Sequence, residues 1–268
     1  MISNQKQEAF IALAESKLTP KELSWVQSKM NIVSDLDTSH KFKVFFSLAS
    51  RFVSTEIPSW SAEELTALED IYPGFGKSAW SRQDLARVLL MLSLDTSVNQ
   101  NILIEFFEIA EMREQIALYK GLYLLGNASH FNPQVAEGIR TNMANVFDAI
   151  ASGNPYPKTY LEDDAWNQLI LKSFFMDRKL YTVQFVDEGK NKKLGDMLQD
   201  YVKERWAAGR QVSPEIWRMI NGYIRKDIIA LISKRQIDGI EKEAITAVLA
   251  KSDASVSPEF WDNIGKTI

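Results

Sequence analysis

Apolar side chains recur at intervals of three or four residues along nearly the whole of this 268-residue chain. The run of Leu85, Val88, Leu89 and Leu92 is typical, and such spacing places apolar side chains on one face of an α-helix. The best candidate for a strand, residues 181–186, stands alone, and a lone strand cannot form a sheet. The periodicity therefore predicts an all-α fold.

Local start and stop signals agree with helices. A capping side chain precedes a proline at Thr19-Pro20, Asn132-Pro133 and Ser213-Pro214, and proline is well suited to the first helical turn. Glycine suits the left-handed residue that follows the end of many helices. We therefore expect helix ends at Gly126, Gly153 and Gly209.

A short internal echo fits a stack of helices. The segment Val212–Trp217 recurs in similar form as Val256–Trp261, 44 positions further along, and HEAT and armadillo repeats have periods of this length. Ser-Pro-Glu is also a common helix start, so chance accounts for the echo equally well. We expect stacked antiparallel helical hairpins, either HEAT-like or an irregular α-solenoid.

The corner Asn154-Pro155-Tyr156-Pro157 is the best candidate for a break between two helical halves. Its two prolines should make it extended and stiff. It is short and is not rich in Ser or Gly, so we expect one domain over residues 1–268 with an internal hinge, if any, at 153–158. The alternative is two helical subdomains joined at this corner.

Charge and cysteine content narrow the function classes. A net charge of −4 disfavours a nucleic-acid partner. The absence of cysteine excludes thiolate catalysis and Cys-ligated metal sites. The N-terminal residues lack the apolar core of a signal peptide, and apolar runs such as Val88–Leu92 are far shorter than the roughly 18 residues of a membrane span. We expect a cytoplasmic protein that does not insert into membranes.

No recognised catalytic motif is present. Gly74–Ser78 ends in the Gly-Lys-Ser of a phosphate-binding loop, but position 71 is Ile rather than Gly and no strand precedes it. The only histidines, His40 and His130, lack metal-ligand spacing. We therefore assign no catalytic residue, no metal and no cofactor, and an enzyme is the less favoured interpretation.

Polar residues interrupt the apolar pattern between about 138 and 217. Asp164, Gln168 and Lys172 would form one polar stripe on a helix from about 163 to 175. The stripe is either a solvated seam with an Asp–Lys ion pair or a surface facing a cleft.

Two arginines lie beside apolar stripes in the same region. Arg205 projects from the stripe of a helix predicted over 194–208, so its partner should be distant, with Asp148 and Asp164 as candidates. Arg140 lies on the flank of a helix predicted over 133–151. The two could form structural ion pairs or an anion pocket, because guanidinium groups suit carboxylate and phosphate.

Three motifs together resemble the EboA family. They are GIRTNMANVFDAIASGNPYP from Gly138, AWNQLILKSFF from Ala165 and ERWAAGRQVSPEIW from Glu204, and FSLASRF at 46–52 resembles a weaker family feature. The resemblance is strongest between about 135 and 220. The positions that match family motifs are Arg140, Thr141, Asn142, Asn154, Pro155, Tyr156, Pro157, Trp166, Asn167, Lys172, Glu204, Arg205, Trp206 and Arg210.

The resemblance implies a helical protein encoded in a bacterial gene cluster for making or moving a secondary metabolite. Neighbouring genes of the family resemble a prenyltransferase, a TatD-type hydrolase and other enzymes, so a protein partner from the same cluster is expected. Many family members carry His before the Glu-Arg-Trp, where this chain has Lys203. That difference weighs against a catalytic histidine there.

Two hypotheses follow. In the first, the protein is a non-enzymatic accessory or scaffold that binds a partner protein or a small molecule. In the second, it is an enzyme or binding protein whose polar residues surround a small anionic or polar metabolite. The candidate ligand-binding residues are Arg140, Asn142, Asn167, Lys172 and Arg205, and the structural motif comprises Asn154, Pro155, Tyr156, Pro157, Trp166 and Trp206.

Overall fold

A computed structural model describes residues 2–250 and 256–268 of the chain. Over these ranges the regular structure is helical, with sixteen α-helices and no β-strand, which confirms the predicted all-α class. Internal contacts divide the chain into two compact units, Met1–Leu161 (unit 1) and Glu162–Ile268 (unit 2). The number of domains and the solenoid arrangement stay predictions.

From residue 2 onward, unit 1 contains ten α-helices and four short 3-10 segments. Its centre is α5, which packs against α1, α2, α3 and α7, while α7 also packs against α9. The α-helices are α1 Asn4–Ser16, α2 Pro20–Val33, α3 Phe42–Phe52, α4 Ala62–Ile71, α5 Arg82–Leu92, α6 Thr96–Ile109, α7 Met112–Gly121, α8 Asn132–Gly138, α9 Ala144–Ala151 and α10 Tyr156–Tyr160.

An aromatic cluster forms much of the unit 1 core. The rings of Phe75 and Trp80 are stacked with centroids 5.0 Å apart, and Phe10 and Tyr72 meet Trp80 edge-on. All four side chains are buried, and burying rings of this size contributes strongly to stability. The amine of Lys120 lies 5.2 Å from the centre of the Trp80 ring.

The start signals differ in outcome. Thr19 caps α2, and Glu22 closes the capping box through the Thr19 N–H. Asn132 instead begins α8, and its side chain binds the carbonyl oxygen of Tyr160 rather than its own helix. Ser213 caps no helix, because the helix that follows it begins only at Ile216.

The continuous helix predicted over 133–151 is wrong, because α8 ends at Gly138 and α9 begins at Ala144. Between them the Thr141 hydroxyl accepts the N–H of Met143 in a local turn. Short Thr side chains often offer the backbone such an alternative to the helix. The apolar spacing continues through the break, so periodicity alone could not locate it.

The corner after α9 is a helix start rather than the predicted extended segment. Gly153 adopts a left-handed φ of 58°, and Pro155 has the helical angles φ −76° and ψ −15°. Pro157 then lies in the first turn of α10, where its missing N–H costs nothing. The expectation of an extended corner was therefore wrong.

Unit 2, without residues 251–255, contains six α-helices and one 3-10 segment, Leu180–Thr182, which overlaps the first two residues of the strand candidate at 181–186. The long helices predicted over 163–175 and 194–208 are present, with small shifts at both ends of the second. The α-helices are α11 Asp163–Phe175, α12 Lys192–Ala207, α13 Ile216–Ile220, α14 Lys226–Ile232, α15 Gly239–Leu249 and α16 Pro258–Thr267.

A buried charge network holds α13 and α16 in unit 2. Arg218 donates to both carboxylate oxygens of Asp187 at 3.0 and 2.6 Å and to Asp262 at 2.7 Å. Glu215 is buried and accepts the N–H groups of Leu180 and Tyr181, each at 2.7 Å. These partners offset the cost of burying the charges.

The two copies of the internal echo play different structural roles. In the second copy Ser257 caps α16 by accepting the N–H of Phe260. In the first copy the equivalent Ser213 makes no cap, and Glu215 binds the 180–182 segment instead. The similar sequences of the two segments therefore do not correspond to a similar local structure.

Candidate functional site

Unit 2 contains a cavity of about 890 Å³, within the range of small-molecule sites. It lies among the end of α11, the second half of α12, the loop before α13, the start of α15 and the last residue of the chain. The residues that line it are Phe174, Phe175, Asp177, Arg178, Lys179, Tyr201, Arg205, Gln211, Val212, Ser213, Pro214, Asp238, Gly239, Ile240, Glu241 and Ile268.

Two aromatic rings and an arginine form one wall of the cavity. The ring of Phe175 meets that of Tyr201 edge-on at 4.9 Å, and the guanidinium of Arg205 lies 5.9 Å from the Tyr201 ring centre. Phe175 is 62% exposed. An exposed ring next to a buried one offers an apolar surface to a ligand.

Arg205 is held by a local carbonyl rather than by a distant carboxylate. Its Nε and Nη2 donate to the carbonyl oxygen of Gln211 at 3.0 and 2.9 Å. Arg205 and Gln211 are six residues apart, on either side of the turn that ends α12. The predicted pairing with Asp164 was wrong, since Asp164 pairs with Lys193 at 2.6 Å, and the pairing with Asp148 stays a prediction.

Lys179 is a second cation at the cavity. It is partly buried, and its amine makes no hydrogen bond or ion pair within 4.0 Å with any residue that the structure describes. The carboxylate of Glu215 interacts with it electrostatically from beyond that distance. Arg178 also lines the cavity and donates to the carbonyl oxygen of Met176.

Three carboxylates line the cavity as well. Asp177 and Asp238 are exposed to solvent, whereas Glu241 is partly buried. Burial raises the pKa of the Glu241 carboxyl, although the charge of Arg235 and the indole of Trp217 oppose that effect. The cavity therefore presents acidic groups as well as basic ones.

The first turn of α15 also borders the cavity. Asp238 precedes the helix, and its side chain makes no capping hydrogen bond. The first N–H groups of a helix have no partner within it, and the helix dipole makes that end favourable for anions. The carboxylates of Asp238 and Glu241 lie at this same helix end and oppose the effect of the dipole.

Two of the five predicted ligand-binding residues lie in unit 1. Arg140 is in the turn between α8 and α9, where it pairs with Glu137 at 2.9 Å and its side chain is 67% exposed. Asn142 lies in the same turn and is exposed. The break in the predicted helix moves both from a helix face to a surface turn.

The other three lie in unit 2. Asn167 is buried and exchanges hydrogen bonds with Asn191, which caps α12. Lys172 is partly buried on α11, and burial lowers its pKa. Of the five, Arg205 lines the cavity. A single pocket built from all five residues stays a prediction.

The predicted structural residues lie mainly in the interior. Asn154 and Tyr156 are buried, and the Tyr156 hydroxyl donates to the carbonyl oxygen of Ala128 at 2.6 Å. Burial raises the pKa of that hydroxyl. The Trp166 indole donates to the carbonyl oxygen of Gly189 at 2.8 Å, while Trp206 packs against Trp217 at 5.8 Å.

A carboxylate of the protein itself binds the backbone N–H groups of the Gly-Lys-Ser segment. The carboxylate of Glu69 accepts the N–H of Gly74 at 2.6 Å and that of Gly76 at 2.8 Å. These are the groups that would cradle a phosphate in a phosphate-binding loop. The segment is a 3-10 turn, Phe75–Lys77, as the departure from the full motif at Ile71 suggested.

Sequence reasoning missed Lys179 and the α15 residues of the cavity. Lys179 lies between two helices, where no periodic pattern applies, and the signal for Asp238–Glu241 as a helix start is weak. Their part in the cavity is visible only in the folded structure, where they lie close together. Within the described ranges, no group of three His, Asp or Glu side chains could hold a metal ion.

These features define an all-helical class of protein that has a ligand-sized cavity between helices of its second unit. A family model described as "Metabolite traffic protein EboA" matches residues 7–221. Because that match covers well over half of the 268 residues, the chain belongs to the EboA family, as its motifs predicted. Neither the curated proteins nor the solved structures yielded a match.

The family match covers unit 1 from residue 7 onward and the first part of unit 2. It includes the cavity residues from Phe174 to Pro214, whereas Asp238–Glu241 and Ile268 lie beyond it. Among the helices described, none is long and apolar enough to cross a membrane.

Proposed function

We propose that this chain is a non-enzymatic accessory protein of metabolite traffic and that it binds a small molecule in the unit 2 cavity. The observation that carries the proposal is the cavity itself, whose volume of about 890 Å³ suits a small organic molecule. The family description, a metabolite traffic protein, supports a role in binding rather than in chemistry.

The composition of the cavity wall supports the same proposal. Phe174, Phe175 and Tyr201 supply aromatic surface, and six charged side chains also line the cavity. The aromatic surface can contact the apolar part of a ligand, and the polar groups can fix its orientation. A carrier needs this selectivity but needs no activated nucleophile.

In this proposal the bound molecule belongs to a secondary-metabolite pathway, and the protein exchanges it with a protein partner encoded in the same gene cluster. The partner and the pathway come from the family resemblance. The cavity supplies the physical site at which such an exchange would begin.

The proposal is tested by blocking the cavity. Ser213 lines it and is partly buried, so Ser213→Trp should fill part of its volume. Ser233→Trp is the matched control, because Ser233 is an exposed residue at the end of α14 outside the cavity lining. Each protein is purified from cells that carry the gene cluster, denatured, and analysed for released small molecules by mass spectrometry.

The wild-type protein and Ser233→Trp should release the same molecule, and Ser213→Trp should release little of it. Circular dichroism and thermal unfolding establish that both variants fold. A wild-type protein that releases nothing, or a folded Ser213→Trp variant that releases as much as wild type, would overturn the proposal.

A further inference from the structure

Several buried or partly buried cations of this protein have a carboxylate partner. Lys17 pairs with Glu64 at 2.6 Å, and Lys120 pairs with Asp84 at 2.9 Å. Arg205 and Lys179 differ, since neither has a carboxylate within 4.0 Å in the described part of the chain. Both line the same cavity. A partly desolvated cation attracts an anion more strongly than an exposed one does.

The guanidinium of Arg205 is already oriented. The bonds from Nε and Nη2 to the carbonyl oxygen of Gln211 orient it, and it lies over the Tyr201 ring at 5.9 Å from the ring centre. Since a guanidinium carries five N–H donors, others remain for a ligand. A preoriented group loses less conformational entropy when it binds.

The acidic residues at the cavity limit the charge that a ligand can carry. Asp177, Asp238 and Glu241 line the cavity with the same number of negative groups as Arg178, Lys179 and Arg205 supply positive ones. One negative charge can lie against the partly buried cations. A second would approach the carboxylates, and like charges at short range repel.

The apolar part of the cavity wall indicates what the rest of the ligand is like. Phe175 presents a largely exposed ring, and Phe174, Tyr201 and Val212 lie beside it in the lining. A flat apolar body would cover this surface and remove it from water.

Resting on the proposed function, we propose that the unit 2 cavity selects an organic monoanion, a flat apolar body with one carboxylate, and that Arg205 and Lys179 bind the carboxylate. This assigns a ligand class and two recognition residues to the cavity.

The test uses three compounds that share one ring system. The full-length protein is titrated calorimetrically at pH 7 with 2-naphthoate, the neutral 2-naphthamide and 2-naphthyl phosphate, which carries more negative charge. The carboxylate should bind about tenfold more tightly than the amide, since a charge-assisted hydrogen bond is lost with the amide. The phosphate should bind no more tightly than the carboxylate.

Variants then locate the effect. Lys179→Met removes a cation whose side chain has no bonded partner in the described residues, so the fold should tolerate it. It should weaken 2-naphthoate about tenfold and leave 2-naphthamide unchanged. Arg205→Gln should act in the same direction. Lys226→Gln removes an exposed charge on α14 away from the cavity and should change neither affinity.

Each outcome decides the question. If 2-naphthoate and 2-naphthamide bind equally tightly, the preference for a negative charge is overturned. If Ser213→Trp also abolishes the binding of both, the cavity remains the binding site. An equal loss of carboxylate binding in Lys179→Met and Lys226→Gln would overturn the assignment of Lys179. Binding of neither compound would overturn the ligand class, and the release experiment with cell-purified protein judges the proposed function separately.

Discussion

Asn154 shows how this chain buries a polar side chain at little cost. Its Nδ2 donates to the carbonyl oxygens of Tyr119 at 3.2 Å and Ala149 at 2.8 Å, and its Oδ1 accepts the N–H of Tyr156 at 2.9 Å. These three partners satisfy most of the hydrogen-bonding capacity of the side-chain amide. The side chain therefore joins the ends of α7, α9 and α10.

Replacing Asn154 by Ala should destabilise the protein by about 2–3 kcal/mol, because two carbonyl oxygens and one N–H lose a partner in the interior. Urea unfolding followed by tryptophan fluorescence measures the change. Asn142→Ala is the matched control, since Asn142 is exposed in the turn before α9 and its loss should cost less than about 0.5 kcal/mol. Similar losses for the two variants would contradict the structural role of Asn154.

Asp187 gives a pH-dependent test at a single residue. Burial alone would raise its pKa, but Arg218 and Lys190 outweigh that effect and lower the pKa to about 2. A carboxyl whose folded-state pKa is depressed stabilises the fold above its unfolded-state pKa, and this contribution is lost as the pH falls toward the folded-state value.

Wild type should therefore be more stable than Asp187→Asn at pH 5, and the gap should narrow by about 2 kcal/mol as the pH falls to 2. Urea unfolding over that pH range measures the gap. Asp196→Asn, which removes a carboxylate paired with the exposed Lys192, should give a small gap at every pH. A gap for Asp187→Asn that does not change with pH would contradict a depressed pKa at Asp187.

The sequence identified Arg205 as a residue of interest but not its partner. An arginine on an apolar stripe needs a polar partner, and Arg205 has one. That partner is a backbone carbonyl, which every residue carries, so no sequence pattern could point to Gln211. Lys179 had no signal at all because its importance lies in what surrounds it.

The positions of α8 and α9 depend on side-chain packing, which the apolar periodicity of the sequence does not reveal. Gly138, the last residue of α8, is buried, and a Cβ at this position would collide with the Tyr119 hydroxyl and the Ile150 side chain. Tyr119 belongs to α7 and Ile150 to α9. Glycine therefore allows α8 to approach both helices closely.

Gly138→Ala should destabilise the protein by about 1–3 kcal/mol, since the neighbouring side chains must move to admit a methyl group. Gly126→Ala is its control, because a Cβ there meets nothing within 4 Å, and its stability should stay near wild type. Thermal unfolding measures both. If Gly138→Ala is as stable as Gly126→Ala, the close approach of these helices is contradicted.

Long helices were the predictable elements. The expected helices at 163–175 and 194–208 correspond to α11 and α12, and the helix start at Thr19 was recognised from its residues. Short elements were not predictable, because a five-residue helix such as α10 or α13 offers too little periodicity to detect. The proline corner failed for a related reason, since proline suits both a turn and a first helical turn.

For the whole molecule, the sequence predicted the fold class and the family but not the cavity. The all-α class follows from periodicity summed over the chain, and the family follows from three ordered motifs. The cavity brings together residues from Phe174 to Ile268, and only tertiary packing makes them neighbours. The predicted pocket drew on motif positions, of which Arg205 alone appears in the cavity lining.

The central claim is that the unit 2 cavity is where this protein binds its ligand. Backbone amide NMR spectra of the full-length, deuterated protein, recorded during titration with 2-naphthoate, test it most directly. We predict that the largest shifts fall at residues 177–179, 201–205, 211–213 and 238–241. Largest shifts in unit 1, for example around Arg140 and Asn142, would contradict it.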